Sequence, residues 1–288
     1  MLYLIHLLIL IIIYSLVAQS FNLTFGFGKL LNFAHITFIG VSAYTTAILA
    51  TKLNLSFGFC LIISALVCVL FSMIVSIIST RLKQDYFALG TFTLNAFFLT
   101  VVINWKQLTN GVLGISSIPR PTILGLNFYN NFDFLILVCI IFLICQVLLY
   151  LIFKSSFSRS LKALAENENH AMSVAVNINK MKRINFIISA LFASIAGCLL
   201  AYYFNYMDST FFVFSEMVFI LTAVILAGPF SFFGVFGAVA LLIIIPEPLR
   251  LISLNPDIVG PLRQLLYGLI LLGIIYFKRK SLLIQRKI

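Results

Sequence analysis

Apolar runs long enough to cross a bilayer recur along nearly the whole chain, and this pattern constrains the fold more than any motif. Nine such runs cover residues 2–20, 34–51, 57–79, 86–104, 132–153, 184–206, 211–228, 232–249 and 263–277. A helix of about 17–25 apolar residues spans roughly 30 Å of hydrocarbon. Composition points the same way: 62% of residues are hydrophobic, 9% are charged, and mean hydropathy is +1.14. A soluble globular chain is about 45–50% apolar and about 25% charged. These values exclude a soluble enzyme, a disordered protein and a nucleic-acid binder, despite a net charge of +11. The ten-residue alternation of a membrane β-barrel is absent. The expectation is an all-α, polytopic membrane protein with about nine transmembrane segments (eight to ten) in a single transmembrane domain over residues 1–288.

Charge sets the expected orientation. With alternating crossings, one side receives Lys29, Arg81, Lys83, Lys154, Arg159, Lys162, Lys180, Lys182, Arg183, Lys278, Arg279, Lys280, Arg286 and Lys287. The other receives Lys52, Lys106, Arg120, Arg250 and Arg263. The positive-inside rule then predicts an outer N-terminus and a cytoplasmic C-terminus, with attraction to anionic lipid heads. Residues 34–51 and 211–228 are short, so full crossing by either is left open. The first run has no basic leader or small-residue cleavage site and reads as a span. Cys60, Cys68, Cys139, Cys145 and Cys198 all fall in apolar runs and read as small hydrophobes.

No GxxxxGK[ST] run, HExxH, GxSxG or paired CxxC occurs, so the chain carries no P-loop of its own. Few ionisable groups fall inside the runs, which disfavours an ion-coupled carrier. The longest polar stretch, 154–183, reads as a cytoplasmic loop with a short amphipathic helix. Ser158 is placed to cap its start, and Leu161, Leu164, Ala165 and Met172 share one face. Arg159, Lys162, Glu166 and Asn169 lie on the other faces. Such a helix lies on lipid or docks into a groove on a soluble partner, and Glu166 with Glu168 favours docking. Polar groups in or near the runs are Asn32, His35, Tyr44, Asn95, Asn104, Glu216 and Thr222, candidates for a substrate path or for helix–helix bridges. A mid-membrane carboxylate costs roughly 2.5–3.5 kcal/mol, and Glu216 falls near the expected outer end of its run.

The stretch Ser158-Arg-Ser-Leu-Lys-Ala-Leu-Ala-Glu-Asn-Glu168 resembles the coupling-loop motif of ABC importer permeases of the branched-chain amino acid type. The likeness continues, in order, through most of the chain. It takes in Asn32-Phe-Ala-His35, Gly40 with Ala43-Tyr-Thr-Thr-Ala47, Asp85-Tyr-Phe-Ala-Leu-Gly-Thr91, Asn104-Trp105 and Leu108-Thr-Asn-Gly-Val-Leu-Gly-Ile115. It then runs through Ile118-Pro-Arg-Pro121, Ala227-Gly228 with Gly234 and Gly237, Pro246-Glu247 and Leu262-Arg-Gln-Leu-Leu-Tyr-Gly268. Departures are Asn110 and Ala175 where the family has glycine, Ala165 where it has a basic residue, and Pro229-Phe230 inside its glycine-rich turn.

The resemblance implies a permease subunit in a bacterial cytoplasmic (inner) membrane. It implies a second related permease, two cytoplasmic ATPases that hold ATP and Mg, and an extracytoplasmic binding protein. This chain would carry no cofactor and hydrolyse no ATP. Ser158, Arg159, Leu161, Lys162, Leu164, Glu166 and Glu168 would couple to the ATPases, with Leu161 and Leu164 docked on them. Related permeases make urea, short amides or nucleosides alternative substrates, and a secondary carrier is the alternative from another class.

Overall fold

The computed structural model describes residues 2–82, 84–123, 126–166, 177–228, 230–250 and 256–284. The elements are almost all helical. In order they are α1 (Leu2–Asn22), α2 (His35–Lys52), α3 (Phe57–Arg81), α4 (Gln84–Asn104), the single turn α5 (Lys106–Thr109), α6 (Asn131–Lys154), α7 (Ser156–Glu166), α8 (Ile178–Phe204), α9 (Phe214–Ala227), α10 (Phe232–Ile244) and α11 (Pro256–Ile284). Four two-residue strands, β1 (Ile115–Ser116), β2 (Thr122–Ile123), β3 (Leu126–Asn127) and β4 (Tyr206–Met207), form two antiparallel pairs, β1 with β4 and β2 with β3.

Among the described residues, six helical spans are long and apolar enough to cross a membrane: Leu2–Phe27, Phe57–Ile78, Tyr86–Asn104, Asn131–Lys154, Ile178–Phe204 and Val259–Tyr276. The other three runs fold as helices for which length and composition do not by themselves imply crossing. α2 has 18 residues but carries Thr37, Ser42, Tyr44 and Thr46 in its buried face. It packs between α3 and α8, so protein rather than lipid surrounds its polar groups. α9 and α10 have 14 and 13 residues, about 21 and 20 Å at 1.5 Å per residue.

The α2–α8 contact depends on a glycine. A Cβ on Gly197 would lie 2.4 Å from the Ile39 carbonyl oxygen, so only hydrogen lets the backbones approach this closely. Ser42 then donates across the seam to the Ser194 carbonyl at 2.5 Å. Helices at the periphery show the opposite character. Leu66, Leu70 and Ile74 of α3 and Leu143, Val147 and Leu151 of α6 are exposed, as lipid-facing residues are.

Connections sort to two ends. At one, Tyr3 donates to Glu247, β1 pairs with β4, and Lys52 Nζ donates to the Gln107 carbonyl at 2.8 Å. Arg120 lies at the same end, donating to Asn131 at 3.0 Å over the rings of Phe134 and Tyr203. Partial burial lowers the Arg120 guanidinium below its ordinary value, though it stays protonated. At the other end lie the last turn of α1, α7 and the α9–α10 turn. Asn110 adopts φ 59°, the left-handed conformation for which asparagine is a tolerable replacement of glycine.

Candidate functional site

α1 ends in a π-helical turn, Leu23–Phe27, and three elements meet on it. α7 lies against this turn, α6 and α8. Lys162 Nζ sits 5.0 Å from the Phe27 ring centre and 4.3 Å from that of Phe230, while the two rings contact edge-on at 5.1 Å. Phe230 belongs to the α9–α10 turn and holds φ 69°. That conformation is strained for a bulky side chain, and such outliers persist only where the surroundings impose them. Asn22 donates to the Ser231 carbonyl at 3.1 Å, and Asn185 of α8 donates to the Leu23 carbonyl at 3.1 Å. A Cβ on Gly28 would meet the Thr24 carbonyl oxygen at 2.6 Å and Leu161 at 3.3 Å, so the α7 contact also needs a glycine.

This arrangement revises two readings of α7. The helix begins at Ser156, and Ser155 Oγ accepts from the Ser158 backbone N–H at 3.4 Å. Ser158 therefore lies inside the first turn rather than at the cap, with its buried hydroxyl unpartnered among the described residues. Leu161 and Leu164 are each 3% exposed, packed inside the chain itself, and are not free to seat on another protein. The amphipathic pattern holds, but its apolar face packs on the chain's own helices. The outward face carries Ser156, Arg159 and Ala163. Glu166 is the last residue of α7, while Glu168, Asn169, Met172 and Ala175 lie outside the described residues.

The proposed path residues do not converge on one site. His35 is fully buried, with Nε2 3.0 Å from Ser20 Oγ and Nδ1 3.5 Å from Ser189 Oγ. Because His35 meets Ser20 rather than Phe27, residues 28–34 turn back along α1 before α2 starts. Thr37 donates to Asn95 Oδ1 at 3.0 Å, bridging α2 to α4. Asn32 Oδ1 accepts from the Ala34 backbone at 3.1 Å. Asn104 donates to its own helix at Thr100 and is exposed, and Thr222 donates to Val218. Tyr44 packs against Phe98 and Phe212, with a buried hydroxyl that lacks a partner among the described residues.

Glu216 stands apart. It lies in the first turn of α9, and Tyr14 donates to its carboxylate at 3.2 Å. Glu216 stands at the start of its helix, as the sequence places it, but that start is level with Tyr14, near the midpoint of the Leu2–Phe27 span. It lines a cavity of about 720 Å³ between α1, α9, α10 and α11, together with His6, Glu247, Arg263, Gln264 and Tyr267. This cavity left no signal in the sequence, because its walls come from opposite ends of the chain and Arg263 reads there as a topological charge within the Leu262–Gly268 stretch.

A family model described as "Branched-chain amino acid transport system / permease component" matches residues 3–275. The chain belongs to this permease family. It is similar to "High-affinity branched-chain amino acid transport system permease protein LivM" of Escherichia coli (strain K12), with 29% identity over 264 residues covering 84% of this chain and 62% of the relative. The protein of the same description from Salmonella typhimurium is 29% identical over 261 residues, covering 83% and 61%. "Probable branched-chain amino acid transport permease protein LivM" of Methanocaldococcus jannaschii is 26% identical over 227 residues, covering 73% and 63%. The chain thus spans about three fifths of the length of the curated relatives it matches. No solved structure matches.

Proposed function

We propose that this permease is the membrane-spanning subunit of an ATP-driven importer that moves branched-chain amino acids across the bacterial cytoplasmic membrane. It works with a second related permease, two cytoplasmic ATPases and an extracytoplasmic binding protein. The ATP and Mg belong to the ATPases, and this chain carries out no hydrolysis. The nine helical runs cross alternately from an outer N-terminus to a cytoplasmic C-terminus, in one domain over residues 1–288. The basic end that holds α7 is cytoplasmic, in keeping with the positive-inside bias.

The observation that carries the coupling role is the lodging of α7 between the end of α1 and the α9–α10 turn. A rigid short helix in that place passes a push on its outer face directly to two membrane elements. Arg159 and Ala163 form the ATPase-facing side, and Glu166 and Glu168 fix register by pairing with basic residues of the ATPase. Lys162, Leu161 and Leu164 hold the helix to the spans. Two states of the ATPase pair that contact this face differently would then bias the membrane conformation.

Reconstitution tests the reading. Liposomes containing both permeases, the ATPases and the binding protein are expected to accumulate leucine only with ATP inside the ATPase compartment. The isolated permease is expected to show neither hydrolysis nor uptake. Concentrative uptake by this chain alone under an ion gradient would overturn the reading in favour of a secondary carrier.

A further inference from the structure

The cavity on the outer half of α1 holds charges for which the coupling role has no use. Glu216 accepts one hydrogen bond, from Tyr14 at 3.2 Å, and no cation pairs with it among the described residues. A lone carboxylate near the middle of a membrane span is costly and commonly marks a ligand path. On the same cavity wall, Arg263 reaches Glu247 only loosely, at 3.8 Å. Its Nε is buried and has no hydrogen-bond partner among the described residues. Glu247 also accepts from the Tyr3 hydroxyl, so it keeps a partner when Arg263 turns elsewhere. A guanidinium has five donors in a fork that matches a carboxylate. The cavity therefore contains an anion lacking a cation and a cation with donors to spare.

Leu7, Leu10, Phe219 and Ile243 give it an apolar wall, beside the polar side chains of His6, Tyr14, Gln264 and Tyr267. Gln264 donates to Ser215 at 3.1 Å and ties α11 to the start of α9, which fixes the two charged walls relative to each other. A volume of about 720 Å³ lies within the range of small-molecule sites, roughly 300–1,000 Å³. The geometry points to a binding site for a zwitterionic α-amino acid within this single chain, its ammonium on Glu216, its carboxylate on Arg263 and its side chain against Leu10, Phe219 and Ile243. The charge pairing stands on the cavity alone, whereas the aliphatic nature of the side chain rests on the permease reading above.

The test uses the purified full chain in lipid nanodiscs and three probes of similar shape. These are L-leucine, 4-methylpentanoate (which lacks the ammonium) and 3-methylbutylamine (which lacks the carboxylate). Wild type is expected to bind leucine and to bind each single-charge analogue about tenfold or more weaker, the size of a lost hydrogen bond to a charged group. Glu216→Gln is expected to weaken leucine and the amine by a similar factor and to spare the acid. Arg263→Gln is expected to weaken leucine and the acid and to spare the amine. A merely structural role would weaken all three probes together, and that outcome, or no leucine binding by wild type, overturns the site. ATP-driven uptake by the assembled transporter without charge-selective binding here sinks this inference and leaves the importer reading standing. Charge-selective binding without ATP-driven uptake does the reverse.

Discussion

The two ends of the α9–α10 hairpin meet the rest of the molecule in opposite ways. At its turn, Phe230, Ser231, Phe27, Asn22 and Lys162 are locked by ring contacts and backbone hydrogen bonds, with α7 pressed against them. At its open end, Glu216 and Ile243 face a cavity of about 720 Å³, where Glu216 has a hydrogen bond from Tyr14 but no cation among the described residues and Arg263 Nε has no partner among them. The same α1 helix borders both places. A close-packed region transmits displacement, because it has few arrangements open to it. A roomy region with unmatched charge is suited to taking a ligand. The hairpin therefore joins a mechanical end to a chemical end, and each prediction below separates the two.

The largest effect is expected at the buried face of α7. Leu164→Asp places a charge at a site 3% exposed, and an unpaired buried charge costs about 3–5 kcal/mol. The expected outcome is a lower melting temperature of the detergent-solubilised permease together with loss of uptake. Arg159→Glu, on the outward face, is expected to leave melting unchanged and to reduce ATPase co-purification. Equal melting of wild type and Leu164→Asp would remove the distinction between the two faces.

Next in size is Gly28→Ala. Its new methyl would stand 2.6 Å from a backbone carbonyl oxygen, which cannot move aside as a side chain can. Overpacking of this kind costs about 1–3 kcal/mol. Uptake is expected to fall with melting temperature, while leucine binding measured at a temperature where the variant is folded stays at the wild-type level. Loss of binding as well would show that the two ends are not separate in function.

Lys162→Met should have the smallest effect on folding, because each ring contact contributes about 0.5–1 kcal/mol at an exposed site. Thermal unfolding is expected to shift by a few degrees at most. Substrate-stimulated hydrolysis is expected to persist with less leucine moved per ATP. Unchanged transport stoichiometry would mean that Lys162 only props the turn. Orientation is checked by an impermeant thiol reagent on intact cells: a cysteine replacing exposed Tyr129 is expected to react above the parent background, and one replacing exposed Asn177 is not.

Much of this was legible in the sequence. Each apolar run holds a helix, and in the six that are long and apolar enough to cross, a run so rich in Leu, Ile, Phe and Val has no other way to satisfy its backbone in lipid. The amphipathic period of Leu161 and Leu164 was legible too, but not what that face would meet. Periodicity tells that a face is buried and is silent on whether the cover is a partner or the chain itself. Phe27 and Phe230 stand far apart in sequence, so their pairing across Lys162 left no local trace. Glu216 was visible as an anomaly, whereas its depth came from the contact with Tyr14, a long-range fact. Arg263 could not be recognised, because one arginine near the end of a run looks the same whether it marks topology or lines a cavity.

The outward face of α7 as the ATPase contact is tested most directly by site-specific photocross-linking in the assembled transporter. A photoreactive phenylalanine derivative is placed at Ala163 in one preparation and at Leu161 in another. The probe at Ala163 is expected to form a product with the ATPase subunit, and the probe at Leu161 to form products only within the permease. An ATPase product from Leu161 with none from Ala163 would contradict the assignment and restore the apolar face as the docking surface.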